Sequence, residues 1–340
     1  MDTIKEKRME TGIAGPARSY RTEYRPHKER NRMKNRIRMI GIDLDGTLLT
    51  KNKEFLPYSK KTVEDALEAG LTIVPVTGRP LTGVPVEILE IPGIRYVITS
   101  NGANTYDLAE LEAVRKEQAP YPVLTAGSVL RKAHMSHDLV REILSTAPGE
   151  DVIREIFVRG VGYHDERTQG LLEAKFALAP QIMAYINRSR KIVPDFEKLL
   201  TDESSHVENI SLMFLSQDLR DRVYNKLETS FNEKRDPLIH VLLPWVTDME
   251  ITHILADKWL ALRDLGRRLS ICENEIAAIG DGDNDRPMLH GAGFGIAMGN
   301  APDFVKKTAD MITLDNEHEG AALMIRKILE KGEPDGSEID

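Results

Sequence analysis

The segment that most constrains this chain is Asp43-Leu44-Asp45-Gly46-Thr47, which ends the short apolar run Arg38–Leu44 (RMIGIDL). Two acids at i and i+2 of a strand end project to the same side. Held together at a buried tip they repel, and at least one carboxyl pKa rises unless a cation neutralises them. Taken alone, the pentapeptide also suits a turn, since Asp and Gly favour one. The pattern of apolar run followed by polar turn recurs, however. Leu71–Val76 (LTIVPV) runs into Thr77-Gly78-Arg79, Tyr96–Thr99 into Ser100-Asn101-Gly102, and Ile276–Ile279 into Gly280–Asp285. Helical spacing at Ser59–Ala69, Lys258–Leu265 and Glu319–Leu329, with further short runs at Gly293–Ala297 and Asp310–Leu314, completes an alternation of strand and helix. That alternation predicts a parallel α/β sheet. In such sheets, functional groups collect beyond the carboxyl ends of the strands.

The stretch between these blocks has a different texture. Strands are expected at Val152–Arg159, Asn209–Leu215 and Ile239–Leu243. Helices are expected at Val123–Leu130, Ser136–Ser145, Gln181–Arg188 and Asp218–Phe231. The reading is an α/β domain inserted at 105–245, with links near Thr105 and Pro244, between core halves 37–104 and 246–331. No internal repeat suggests a solenoid.

Composition narrows the function classes. The 340 residues are 41% hydrophobic and 29% charged, enough to bury a sizeable core. A net charge of -8 argues against a bulk nucleic-acid binder, while leaving room for a locally positive phosphate site. The single cysteine, Cys272, excludes an internal disulfide and a cysteine-rich zinc site. No run of 18 apolar residues marks a membrane span. The charge is uneven: residues 1–36 hold 11 Lys/Arg against five acids, so this stretch is +6 and the remainder -14. With no apolar periodicity, 1–36 reads as a poorly ordered basic tail without a secretory signal. Residues 332–340 read as a flexible acidic tail.

Four groups of residues carry chemistry. Asp43 and Asp45 form the first. Gly280-Asp281-Gly282-Asp283-Asn284-Asp285 is the second: three acids in five residues invite a hard oxygen-binding cation such as magnesium. An EF-hand needs Gly at the sixth position and Glu at the twelfth, where Arg286 and Ala292 stand, so calcium by that route is not expected. A solvated, helix-capping loop is the plain alternative. Third, Thr77-Gly78-Arg79 offers a hydroxyl and open amides suited to a phosphate. The fourth is Lys258, which opens a helix and read singly is an ordinary surface charge. Together they describe a magnesium–phosphate cleft.

At this point the chain resembles the haloacid dehalogenase (HAD) superfamily, and its Cof-like phosphatases (subfamily IIB) in particular. The matching pieces are IGIDLDGTLL (40–49), VTGR (76–79), SNGA (100–103), DK (257–258), GDGDNDRPML (280–289), AGFGIAMGNAPDFVKKTAD (292–310) and NEHEG (316–320). The resemblance implies a Rossmann-like parallel-sheet core with an inserted α/β cap domain. It implies a phosphatase in which Asp43 is the nucleophile and Asp45 the general acid and then base. Magnesium would sit on Asp43, the Asp45 backbone carbonyl and Asp281, with Asp285 as a further ligand or supporting carboxylate. Thr77, Gly78, Asn284 and Lys258 would hold phosphoryl oxygens, with Gly46 leaving room for the backbone. Asn101 and Asn300 match recurring positions without an assigned role. One departure is Trp259, where relatives carry a small residue after the lysine. It either packs in the core or narrows the cleft.

The expected substrate is a small phosphorylated metabolite, such as a sugar, polyol or cofactor phosphate, handled in the cytoplasm without nucleic acid or membrane. Oligomeric state is not legible. Arg159, His164, Lys175, Arg188 and Arg190 are cap cations that could meet it. A phosphomutase or phosphotransferase using the same intermediate, or a metabolite-binding regulator, are the alternative readings.

Overall fold

The computed structural model describes residues 36–109, 128–149, 151–175, 180–202, 206–233 and 237–331. The tail expected at 1–36 lies outside this set except for Arg36, and the acidic tail 332–340 lies wholly outside it. In chain order the strands are β1 Met39–Ile42, β2 Thr72–Pro75, β3 Tyr96–Thr99, β4 Asn104–Asp107, β5 Val129–Lys132, β6 Val152–Val158 and β7 Val161–Asp165. They continue with β8 Arg190–Val193, β9 Val207–Phe214, β10 Ile239–Leu242, β11 Asp248–His253, β12 Ile276–Gly280, β13 Phe294–Ala297 and β14 Met311–Ile312.

The core sheet has the order β14-β13-β12-β1-β2, with every pair parallel. β3 adds at the β2 edge through the Val76–Ile98 bridge. The period-two alternation of these strands sends side chains to two apolar layers. Ile40, Ile42, Ile73, Ile279 and Ile296 join one layer, and Met39, Val74, Ala278 and Ala297 the other. Gly41 faces the second layer. A Cβ there would lie 2.5 Å from Leu262 Cδ2, so glycine lets the helix Lys258–Arg268 press onto the centre of the sheet. Asp257 caps that helix by accepting from Leu260 N at 2.8 Å, a contact worth about 1 kcal/mol. Close packing and cap together fix where Lys258 emerges.

A second sheet, in the order β10-β11-β9-β6-β7-β8, forms the cap. Its pairs are antiparallel except β7–β8. The helices His137–Thr146 and Gln217–Leu227 cover one face, burying Val140, Ile143, Val223 and Leu227 against Ile156, Ile210, Leu212 and Ile251. The other face turns toward the core. The fold is therefore the expected Rossmann-like core with an α/β cap.

Details differ from the sequence reading. The helix expected at Val123–Leu130 lies partly outside the described residues, and Val129–Lys132 is a strand that pairs with β4, itself paired with β3. Around Pro244 the chain makes the hairpin between β10 and β11, and β11 pairs with β9 inside the cap sheet. We propose on this pairing that the links lie near 133–135 and 254–257. Arg131 spans both strands of chain there, donating to the Gly102 carbonyl and to the Leu255 carbonyl (2.5 Å). Among the described residues, no helix is long and apolar enough to cross a membrane.

Candidate active site

β1 is the strand at which chain order reverses: β2 follows on one side, and β12 returns on the other after the cap. The carboxyl ends of strands at such a reversal leave a crevice. Asp43 leaves β1 into it, anchored by its amide donating to the Ile279 carbonyl at 3.0 Å. Lys258 enters from its helix start, only 1% exposed, and donates from Nζ to Asp43 Oδ1 and Asp285 Oδ1, both at 2.6 Å. Asp281 completes the group. One carboxylate oxygen each of Asp43, Asp281 and Asp285 lies within 4.8 Å of the others.

The electrostatics follow from three acids sharing one buried ammonium. Burial first, then the Asp285 charge, raises the Asp43 pKa well above the usual carboxylate range, against the pull of Lys258. Asp281 is pushed up to about 7, by burial and then by Asp285. Burial works to lower the Lys258 pKa, but Asp285 and Asp43 overcome it and hold the ammonium charged. The site thus carries an excess of negative charge. Its donors are all hard oxygens, a set that suits a divalent cation of the magnesium or calcium kind. Two neighbours orient Asp281: Thr47 Oγ1 donates to its Oδ1 (3.2 Å) and Asn300 Nδ2 to its Oδ2 (3.0 Å). Asn300 also donates to the Gly46 carbonyl at 2.9 Å. Gly46 has φ +82°, and a Cβ there would come within 2.3 Å of Asp281 Oδ2, so both conformation and space require glycine. Asp285 Oδ2 accepts from the amides of Asp281 and Gly282 (3.0 and 2.8 Å), closing the acidic turn.

Asp45 points elsewhere. Its side chain is not among the converging carboxylates. Arg79 donates to it twice, Nε to Oδ2 and Nη2 to Oδ1, both at 2.6 Å, and Lys53 Nζ donates to Oδ1 at 2.7 Å. Burial alone would raise its pKa, but the hydrogen bonds and charge of Arg79, helped by Lys53, drive it far below the usual value. Arg79 stacks in turn on Tyr185 of the cap, 4.7 Å from the ring centroid.

Thr77, Gly78 and Asn284 form a rim beside the acidic group. Thr77 is buried, with its Oγ1 accepting from the Arg79 amide at 3.2 Å. Gly78 lies against Asn101, whose Oδ1 accepts from Asn284 Nδ2 at 2.9 Å. Ser100, Asn101 and Gly102 all have positive φ (51°, 55° and 93°), a tight reversal that turns Asn101 into the crevice. Trp259 packs beside the apolar layer against Gly291, so Lys258 keeps its place.

The residues missed from sequence are Arg79 as the partner of Asp45, Lys53, Thr47 and the cap acid Glu250, which accepts from Asn101 Nδ2 at 2.7 Å. Arg79 and Thr47 lie inside quoted motifs, so a signal for them was present. Lys53 and Glu250 have no motif to mark them. Of the cap cations, Arg159 pairs with Asp202, Lys175 with Asp248 and Arg190 with Glu155, while Arg188 is exposed and His164 is buried.

The family model of the haloacid dehalogenase-like hydrolases matches residues 40–325. The chain belongs to that family. Phosphatase YwpJ of Bacillus subtilis is 27% identical over 318 residues, spanning 86% of this chain and all of that protein. The 5-amino-6-(5-phospho-D-ribitylamino)uracil phosphatase YcsE, also of B. subtilis, is 24% identical over 85% of this chain and 95% of its own length. The solved structure of a haloacid dehalogenase-like hydrolase from B. subtilis superposes with a TM-score of 0.70 at 26% identity, covering 85% of this chain and 99% of that one. With these relatives, the chain is a hydrolase of the phosphomonoesterase kind.

Proposed function

We propose that the protein is a magnesium-dependent phosphatase that hydrolyses small phosphorylated metabolites through an aspartyl-phosphate on Asp43. The observation that carries the reading is the buried Asp43–Lys258–Asp285 bridge with Asp281 beside it, at the reversal of the sheet. Asp43, Asp281 and the Asp45 carbonyl are the groups we assign to magnesium, with Asp285 supporting. The bound ion would offset phosphoryl charge and hold a substrate oxygen near Asp43.

The chain's own residues supply the rest. An Asp43 carboxylate oxygen attacks phosphorus as the bond to the leaving oxygen breaks, and Asp45 gives that oxygen its proton. Asp45 then takes a proton from a water that attacks the same phosphorus, which breaks the bond to Asp43 and frees inorganic phosphate. In the observed arrangement Asp45 is ionised, ready for the second half-reaction. Its acid role requires Arg79 to turn its guanidinium from Asp45 to the incoming phosphate, a group its fork fits equally well. Lys258, Thr77, Gly78 and Asn284 are assigned to the remaining phosphoryl oxygens. The cap shuts out water. As one relative is named for a ribityl phosphate, a sugar or polyol phosphate is the class to test first.

The test is phosphate release from a panel of sugar, polyol, nucleotide and cofactor phosphates with magnesium. Asp43→Asn is expected to cut turnover by at least a thousandfold, because it removes the nucleophile. Activity retained in that variant refutes the mechanism.

A further inference from the structure

A cavity of about 780 Å³ opens on the cap away from the reaction centre, within the usual size of a small-molecule site. Its place follows from β7. That strand starts beside Gly160, where a Cβ would meet Leu81 and Tyr106 of the core, and runs outward to Asp165 at the cavity wall. The length of the strand puts the cavity roughly 13 Å beyond that contact. The end of the helix His137–Thr146, Arg154 of β6 and the short helix Glu197–Leu200 complete the wall. Leu144, Pro148 and Phe196 give it an apolar lining.

Three arginines and three acids line the same cavity, and two pairs of them are already matched. Arg167 grips the fully buried Asp165, Nη2 to Oδ2 at 2.6 Å. Arg141 meets Glu197 at 3.2 Å. Arg154 and Asp195 are left over. Arg154 donates from Nε and Nη2 to the Ala147 carbonyl (3.1 and 2.6 Å) and from Nη2 to the Gly149 carbonyl (2.5 Å). Those carbonyls fix the plane of the guanidinium without neutralising it. Among the described residues Arg154 has no ion pair, and its Nη1 has no partner. It is half-buried, and burial presses its pKa below the usual arginine value, with Asp165 opposing and Arg167 adding to the effect. Asp195 is exposed and accepts from the Glu197 amide at 3.0 Å. Its charge reaches Arg167 only at longer range, and among the described residues it too has no ion pair.

We propose that this cavity binds the zwitterion of an α-amino acid with a large apolar side chain. Arg154 takes the carboxylate, Asp195 the ammonium, and Leu144, Pro148 and Phe196 the side chain. The charges decide the class. The lining sums to zero, and its two unpaired groups are of opposite sign, so a zwitterion leaves every charge matched. A phosphate ester brings two negative charges against Asp195 and Glu197, so the site differs in chemistry from the catalytic crevice. The open Nη1 of a fixed guanidinium suits a carboxylate, and an ammonium offers three rotatable donors to Asp195. Exposed charges alone bind weakly, and burial of the apolar side chain supplies the rest of the affinity. No catalytic residue takes part, so the inference stands apart from the phosphatase reading.

The experiment titrates the full chain calorimetrically with phenylalanine, tryptophan, leucine and methionine. Each is matched by its N-acetyl derivative, which lacks the ammonium, and its amide, which lacks the carboxylate. At least one amino acid should bind saturably at millimolar concentration or below, and both of its derivatives should bind at least tenfold more weakly. Asp195→Asn keeps the acceptor for the Glu197 amide and removes the charge. It should weaken binding at least tenfold while the urea unfolding midpoint stays at the wild-type value. Arg154→Met should weaken binding by as much. That variant also releases the Ala147 and Gly149 carbonyls, so if it fails to fold, Asp195→Asn and the derivatives decide. Failure of all four amino acids to bind, a derivative that binds as tightly as its parent, or a Kd unmoved by Asp195→Asn overturns the proposal. Binding is read without a phosphorylated substrate, so a chain that hydrolyses no phosphate ester leaves this result standing.

Discussion

Replacing Lys258 with methionine keeps most of the side-chain volume and removes the ammonium that bridges Asp43 and Asp285. Each contact is 2.6 Å between nitrogen and oxygen, so the charge centres lie roughly 3.3 Å apart. At an effective dielectric near 20, each pair attracts by about 5 kcal/mol. Much of that sum offsets the cost of burying the ammonium itself. Stripping one partner from a buried ion pair typically costs about 3–5 kcal/mol, because the other charges stay behind uncompensated. Here two acids lose their partner beside a third, Asp281. Lys258→Met should therefore lower unfolding stability by about 3–5 kcal/mol in EDTA at pH 8, read from urea transitions. A cation held by the same carboxylates should restore part of the loss, about 2.7 kcal/mol at a free concentration near 100 times its dissociation constant. Magnesium titrated into the variant supplies that measurement. A variant within about 1 kcal/mol of wild type in EDTA would refute the charge argument. A deficit that magnesium leaves untouched would refute the shared use of these acids by lysine and metal.

Gly46→Ala adds a Cβ that would collide with Asp281 Oδ2 at a position with φ +82°. Magnesium affinity, measured by titration calorimetry, should weaken at least tenfold; an unaltered dissociation constant sinks this account of the glycine. Glu208, on the cap strand β9, is fully buried and accepts from Gly160 N (2.7 Å) and from Ser100 Oγ of the core (2.9 Å). Burial raises its pKa above the ordinary value, with those hydrogen bonds pulling the other way. A carboxyl with a raised folded pKa contributes stability that is complete below its unfolded value of about 4.3 and lost as pH rises through the folded value. Glu208→Gln removes that term, so the Tm of wild type relative to the variant should fall between pH 4.5 and pH 8. A difference that stays flat across that window rules the reasoning out.

Legibility of the site depended on where each residue's partner stands in the chain. Asp43, Asp281 and Asp285 could be named from sequence because each follows a strand end that local apolar patterning marks, whereas Lys258 stood out only through the family resemblance. Met249 and Ile251 alternate with polar neighbours in β11, yet Pro244, read as a link, sits in the hairpin that leads into that strand. Hairpin residues and linker residues draw on the same polar and proline-rich vocabulary, so only strand pairing separates them. Val129 and Leu130 close the helix expected at 123–130, yet they open the strand Val129–Lys132 because β4 offers it a free edge.

By itself the sequence determined the parallel core, the strand ends that carry the acids, and the family through the order of its motifs. It also limited the chemistry, since one cysteine and three acids in one turn favour oxygen ligands over thiolates. Tertiary structure decided the partners. Arg79 and Lys53 hold Asp45, Asn101 joins core to cap through Glu250, and the cavity lined by Arg154 and Asp195 exists only once the cap helices pack beside β6 and β7. The reason is physical. Alternation tells which face of a strand a side chain takes, but register and strand order are set by contacts between segments distant in the chain, and a buried charge acquires its pKa from whatever those contacts bring beside it.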